Sequence, residues 1–108
     1  MSEVRVGALA DLKTDFGTLV DVAGTAVAVF KVDDRVYAIA DRCSHAEASL
    51  SEGEVFDHEV ECPRHGATFD ITTGAALTLP ATKPVATYSA AVRDGEVFVS
   101  TNPGEDVQ

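Results

Sequence analysis

The sequence predicts an all-β domain of antiparallel sheets, a sandwich or barrel, on three observations. Apolar and polar residues alternate over many short stretches, turn-forming pairs punctuate them at close spacing, and no stretch keeps a helical period for a useful length. The 108 residues suit one domain, long enough to bury about two-thirds of the surface its unfolded chain exposes. An apolar content of 45% with 24% charged residues is that of an ordinary globular protein.

Taken in order, residues 3–6 and 17–22 read as strands, and residues 8–13 between them as a brief helix. Residues 25–32 are rich in β-branched and aromatic side chains; Asp33-Asp34 offers a turn and residues 35–40 resume the pattern, which makes a hairpin. Shorter strand signals follow at 54–56, 59–61 and 67–71, with Thr72-Thr73-Gly74 as a turn. Residues 86–93 and 96–100 flank Asp94-Gly95, a pair suited to a tight turn with positive φ, and form a second hairpin. The segment 41–51 fits neither period and brings no apolar payload, so something other than hydrophobic burial is expected to hold it. Residues 101–108 form a polar, acidic tail expected to fray, leaving 1–100 as the single domain.

Eighteen acidic side chains against eight basic ones give a formal charge of −10, which repels phosphate backbones and anionic lipid surfaces. Neither nucleic acid nor a membrane is expected as a partner. The start of the chain lacks the basic and apolar blocks of a secretory signal, and no long apolar run follows, so a cytoplasmic location is expected. Two cysteines in such a chain point to metal binding or catalysis rather than to a staple, although a disulfide between them is one reading.

Chemistry concentrates in two groups, Cys43-Ser44-His45 and, after sixteen residues, Cys62-Pro63-Arg64-His65-Gly66. If each group sits at the tip of a loop and the loops face each other, two thiolates and two imidazoles converge as four ligands. This Cys-x-His and Cys-x-x-His-Gly pattern resembles the signature of Rieske iron-sulfur proteins, whose [2Fe-2S] cluster has two histidines on one iron. The likeness extends from end to end, through Thr68-Phe69-Asp70, the stretch Leu79-Pro80-Ala81 and the closing hairpin, to a small bacterial ferredoxin of that family.

The resemblance implies a Rieske fold in which a cluster-binding subdomain, about residues 40–69, is inserted between antiparallel base sheets. It implies one [2Fe-2S] cluster, with Cys43 and Cys62 on the inner iron and His45 and His65 on the outer one. Pro80 would belong to a third, shielding loop. The implied function is one-electron transfer, not catalysis by the chain alone. The implied partners are a flavoprotein ferredoxin reductase as donor and the terminal oxygenase of a ring-hydroxylating dioxygenase as acceptor, with the carrier a monomer. A small subunit of a nitrite reductase and a ferredoxin serving iron-sulfur cluster assembly share the same fold and remain alternatives.

Neutral ligands explain what such a centre is for. Two imidazoles in place of two thiolates leave the cluster two charges less negative and easier to reduce, at roughly −150 to +300 mV against about −400 mV for plant-type clusters. High-potential members carry a serine two residues after the second histidine, a tyrosine four after it, and an extra cysteine in each loop. Here those positions are Ala67, Phe69, Ala48 and Arg64, which implies a potential near the bottom of the range. Imidazoles on ferric iron should also shed their remaining ring proton more readily, so the potential is expected to be flat near neutral pH and to fall in alkali.

Two other chemistries use the same residues. A mononuclear zinc site in an interaction module would take two cysteines and two histidines, but zinc sites commonly group like with like around a helix. A Cys62–His65 nucleophile and base leaves Cys43 and His45 unexplained. His58 reads as a solvated turn residue, and Phe16, Phe30, Tyr37, Phe56, Tyr88 and Phe98 as core or sheet-face packing. From 41 to 70 there are eight acids and two arginines, −8 + 2 = −6 of the total −10, which is either a solvated face or an acidic rim steering the carrier toward basic partners.

Overall fold

The structure is a computed structural model that describes residues 3–13, 16–22, 24–33, 35–42, 48–63, 66–78 and 84–100. Its strands are β1 (Glu3–Ala8), β2 (Thr18–Val22), β3 (Thr25–Val32), β4 (Arg35–Ala40), β5 (Val55–Phe56), β6 (Glu59–Glu61), β7 (Thr68–Asp70), β8 (Thr87–Tyr88), β9 (Ala90–Arg93) and β10 (Glu96–Ser100). They form three antiparallel sheets in the orders β1-β10-β9, β2-β3-β4-β8 and β5-β6-β7. The all-β expectation holds, and the helical stretch expected at 8–13 is only a 3-10 turn at Leu9–Asp11.

The β3–β4 hairpin is the middle layer because both of its faces are apolar. Its register pairs Phe30 with Tyr37 and Ala28 with Ile39, while Val29 pairs with Ala38 and Val27 with Ala40. Paired residues share a face, so Ala28, Phe30 and Ile39 enter one core with Leu50, Val60, Cys62, Ala67, Phe69 and Ile71. Val27, Val29, Val36 and Ala38 enter the other, against Val97 and Val99 of β10. A one-residue slip would exchange these two sets, which fixes the register from both sides.

The Asp94-Gly95 turn joins β9 to β10 with φ of 54° and 76°, the left-handed pair that a two-residue hairpin requires. Its strand is shorter than the expected 86–93. The chain changes sheets at Ser89: Thr87 and Tyr88 pair with β4, whereas Ala90 onward pairs with β10. A continuous alternation therefore serves two different partners. At the hairpin of the middle layer, Asp33 has φ of 56°, and Asp34 lies outside the described residues.

Two further expectations are corrected. Segment 41–51 does bring apolar payload, since Leu50 is fully buried in the core that holds Cys62. Phe16 and Phe56 do not pack inside: they are 43% and 52% exposed, beside an isolated bridge between Phe16 and Glu54 and on edge strand β5. Phe30 and Tyr88 are buried as expected, and Phe98 carries the Arg93 guanidinium 4.2 Å from its ring centre. The acidic tail, 101–108, lies outside the described residues.

Candidate metal centre

Of the four expected ligands, Cys62 is described; Cys43, His45 and His65 lie outside the described residues, as do Arg64 and Leu79-Pro80-Ala81. Cys62 follows β6 directly and is a free thiol, 1% exposed, packed in the core with Phe30, Ile39 and Phe69. Backbone hydrogen bonds close its loop. The Cys62 amide donates to the Ala67 carbonyl at 2.6 Å, and the Gly66 amide donates back to the Cys62 carbonyl at 3.0 Å. Gly66 has φ of 77°, a conformation that a side chain disfavours, which gives the expected turn glycine a specific backbone reason.

The closed loop turns Pro63 and Gly66 outward while the thiol stays inside. That fits a soft sulfur donor to the inner side of a metal centre: a thiolate in a dry setting is satisfied when a cation takes its charge. Ala67 and Phe69 are fully buried with no hydroxyl to offer, so the two positions at which high-potential Rieske proteins place donors are apolar here. Alongside runs a further strip. The Leu77 amide donates to the Thr68 carbonyl, the Thr78 hydroxyl accepts from the Thr68 amide at 2.9 Å, and Phe69 bridges to Ala76.

The first loop is closed differently, by a carboxylate the sequence reading did not single out. Asp41 is buried, 7% exposed, and ends the β4 segment. Its Oδ1 accepts from the Ser51 amide at 2.9 Å, and its Oδ2 accepts from the Ser49 hydroxyl at 2.6 Å. The Ser49 and Ser51 hydroxyls are 2.7 Å apart, and the Leu50 amide donates to the Asp41 carbonyl at 2.7 Å. Arg42 bridges to Ser49, so the two ends of segment 42–49 are held side by side. The visible signal was an acid at a strand end, followed at eight and ten residues by Ser-x-Ser.

Both closures are tied together. A Cβ on Gly53 would overlap the Glu61 carbonyl oxygen, so only glycine lets the exit of the first loop lie against the residue preceding Cys62. The Glu61 amide also donates to the Glu54 carbonyl at 3.0 Å.

Around this frame Glu52, Glu54, Asp57 and Glu59 are exposed, whereas Asp41 is internal and belongs to no rim. His58 does occupy a turn, half-exposed, with Nδ1 3.1 Å from Asp57 and its ring edge-on to Tyr37 at 5.6 Å. For Asp70, burial opposes the charge, but the Thr72 hydroxyl, the Thr72 and Thr73 amides and nearby His58 together outweigh it and hold the carboxyl below its usual range. Among the described residues no helix is long and apolar enough to cross a membrane.

Comparison with known proteins agrees with this geometry. The family model for the Rieske [2Fe-2S] domain matches residues 2–89. The 3-phenylpropionate/cinnamic acid dioxygenase ferredoxin subunit of Shigella flexneri serotype 5b is 51% identical over 74 residues, 68% of this chain and 70% of that protein. In solved structures, the ferredoxin of carbazole 1,9a-dioxygenase from Nocardioides aromaticivorans IC177 superposes with a TM-score of 0.89 at 42% identity, covering 93% of this chain and 98% of that one. A chain of the complex of reduced oxygenase and oxidized ferredoxin in carbazole 1,9a-dioxygenase gives 0.88 at 34% identity, covering 96% and 97%.

Proposed function

Since this chain belongs to the Rieske [2Fe-2S] domain family and is a one-electron carrier with one [2Fe-2S] cluster, we propose that Cys43, His45, Cys62 and His65 hold that cluster. Cys43 and Cys62 supply thiolates to the inner iron, and His45 and His65 supply imidazoles to the outer one. Together they form a binding unit of about residues 40–69 within a single domain, 1–100. Held by these four residues, such a cluster would supply reversible one-electron chemistry. The protein's own part is to keep the Cys62 sulfur dry and to close its loop through Gly66 and Ala67.

The observation that carries this reading is the buried free Cys62 thiol inside a backbone-closed Cys-x-x-His-Gly loop, in a chain of this family. Purified protein should be reddish brown, with iron and acid-labile sulfide in equal amounts, and its reduced form should show magnetic coupling to two imidazole nitrogens. Colourless protein containing zinc, or coupling to no nitrogen, would overturn the ligand set.

The electron comes from a flavoprotein ferredoxin reductase and passes to the terminal oxygenase of a ring-hydroxylating dioxygenase. The names of the relatives and the solved oxygenase–ferredoxin complex support the acceptor; the donor, a monomeric state and a cytoplasmic location are proposed with it from the family resemblance alone. Exposed Glu52, Glu54, Asp57 and Glu59 favour basic docking partners. Reduction by the reductase should slow as salt rises, and a rate indifferent to ionic strength would remove the steering role.

A further inference from the structure

We infer that Asp41, with Ser49 and Ser51, is a positioning clamp that sets the first cluster loop before and independently of the metal. This rests on the ligand reading above, since Cys43 and His45 are then the residues enclosed. The clamp is built from the protein's side. One buried carboxylate accepts from the Ser51 amide and the Ser49 hydroxyl, the Ser49 hydroxyl sits against that of Ser51, and the Leu50 amide closes on the Asp41 carbonyl.

The same bonds explain why a carboxylate stands there. Its two oxygens receive donors from two residues, so one group fixes both the side chain of Ser49 and the backbone of Ser51. An asparagine of equal size keeps one acceptor oxygen for the Ser51 amide but turns its N–H₂ to Ser49, whose hydroxyl must then accept instead of donate, and it replaces charge-assisted bonds by neutral ones of about half the strength. Leu50, between the two serines, is fully buried in the core of Cys62, so displacement of the clamp moves a residue packed with the second loop. The clamp thus holds the two ends of the loop, at Arg42 and Ser49, side by side.

The test uses the cluster-loaded protein. Asp41→Asn and Ser49→Ala are purified beside wild type, Ser49→Thr and Asp70→Asn, and the decay of the visible cluster absorption is followed in a mild iron chelator. Both clamp variants should lose the cluster at least tenfold faster. Their Ser51 amide should exchange with solvent at least tenfold faster, in loaded and in apo protein. Ser49→Thr, which keeps the hydroxyl, should restore both, and Asp70→Asn, which removes a carboxylate from a surface turn, should change neither.

Should Asp41→Asn fail to fold, Ser49→Ala, with the carboxylate in place, decides the matter. Clamp variants that melt earlier but keep the wild-type cluster lifetime and Ser51 exchange would overturn the inference and reduce Asp41 to a stabilising residue. Wild type lacking iron and sulfide in equal amounts would instead overturn the ligand reading.

Discussion

The two faces of the β3–β4 hairpin solve different problems. On the side of β1, β9 and β10 the core is aliphatic apart from Tyr88, and four or five registered pairs join each strand to its neighbour. On the other side the ladders shrink to two or three pairs, and the core admits a thiol. Order there depends on single devices: the Asp41 carboxylate, the Gly53 backbone contact, and the closed turn after Cys62. One region is stable through area and repetition, and the other through specific bonds that a bound group completes.

The largest expected effect concerns the second region alone. Cys62→Ser should abolish or cripple cluster binding while the strands of the first region persist, checked by iron and sulfide analysis beside far-ultraviolet circular dichroism. Wild-type cluster content in this variant would remove Cys62 from the ligand set.

Truncation of the shared hairpin separates the two faces next. Phe30→Ala should cost about 3–5 kcal/mol in chemical denaturation, since the ring is fully buried, and should speed cluster loss because it belongs to the core that holds Cys62. Val29→Ala, directed to the opposite core, should cost less, about 1–3 kcal/mol, and leave cluster lifetime near that of wild type. Equal effects of the two on cluster lifetime would mean that the faces are not independent.

Gly53→Ala forces a Cβ into the Glu61 carbonyl, so an overpacking cost of about 1–3 kcal/mol is expected, together with faster exchange of the Glu61 amide. Exchange unchanged from wild type would show that the two loops are not locked at this point.

Asp70→Asn should have the smallest effect, and one that depends on pH. Because the folded carboxyl is held below its usual range, its stabilisation is present above the unfolded value of about 3.9 and is lost as pH falls through the lower folded value. Denaturation series at pH 6 and near pH 2 should therefore show wild type ahead of the variant at the higher pH and level with it at the lower one. A gap that persists in acid would mean that the turn does not depend on the charge.

Much of the fold was legible because its hairpins carry their own signals. Asp33-Asp34 and Asp94-Gly95 announce turns, and the β-branched and aromatic residues of 25–32 and 35–40 mark the strands of the first hairpin, whose register the two cores then fix. The break at Ser89 was not legible, since alternation continues across it and only the positions of β4 and β10 split the segment. Leu50 looked idle in a polar loop because burial there depends on a core contributed by strands far along the chain. Phe16 and Phe56 looked internal because aromatic residues often are, yet both lie at a short edge strand and stay about half exposed. At the candidate centre the donor set and its spacing were visible at once, but the carboxylate that closes the first loop was not, as its partners are found only by folding back eight and ten residues.

Side-chain chemistry and local period thus settled the strand content and the two tight turns, and they suggested the sulfur and nitrogen donors; these signals act between residues close in the chain. Which strand each segment joins, which apolar residues are covered, and that Asp41 is spent inside rather than at the surface were decided by tertiary packing. Those outcomes turn on distances between remote segments, and a buried charge is tolerable only where such segments deliver its hydrogen-bond donors.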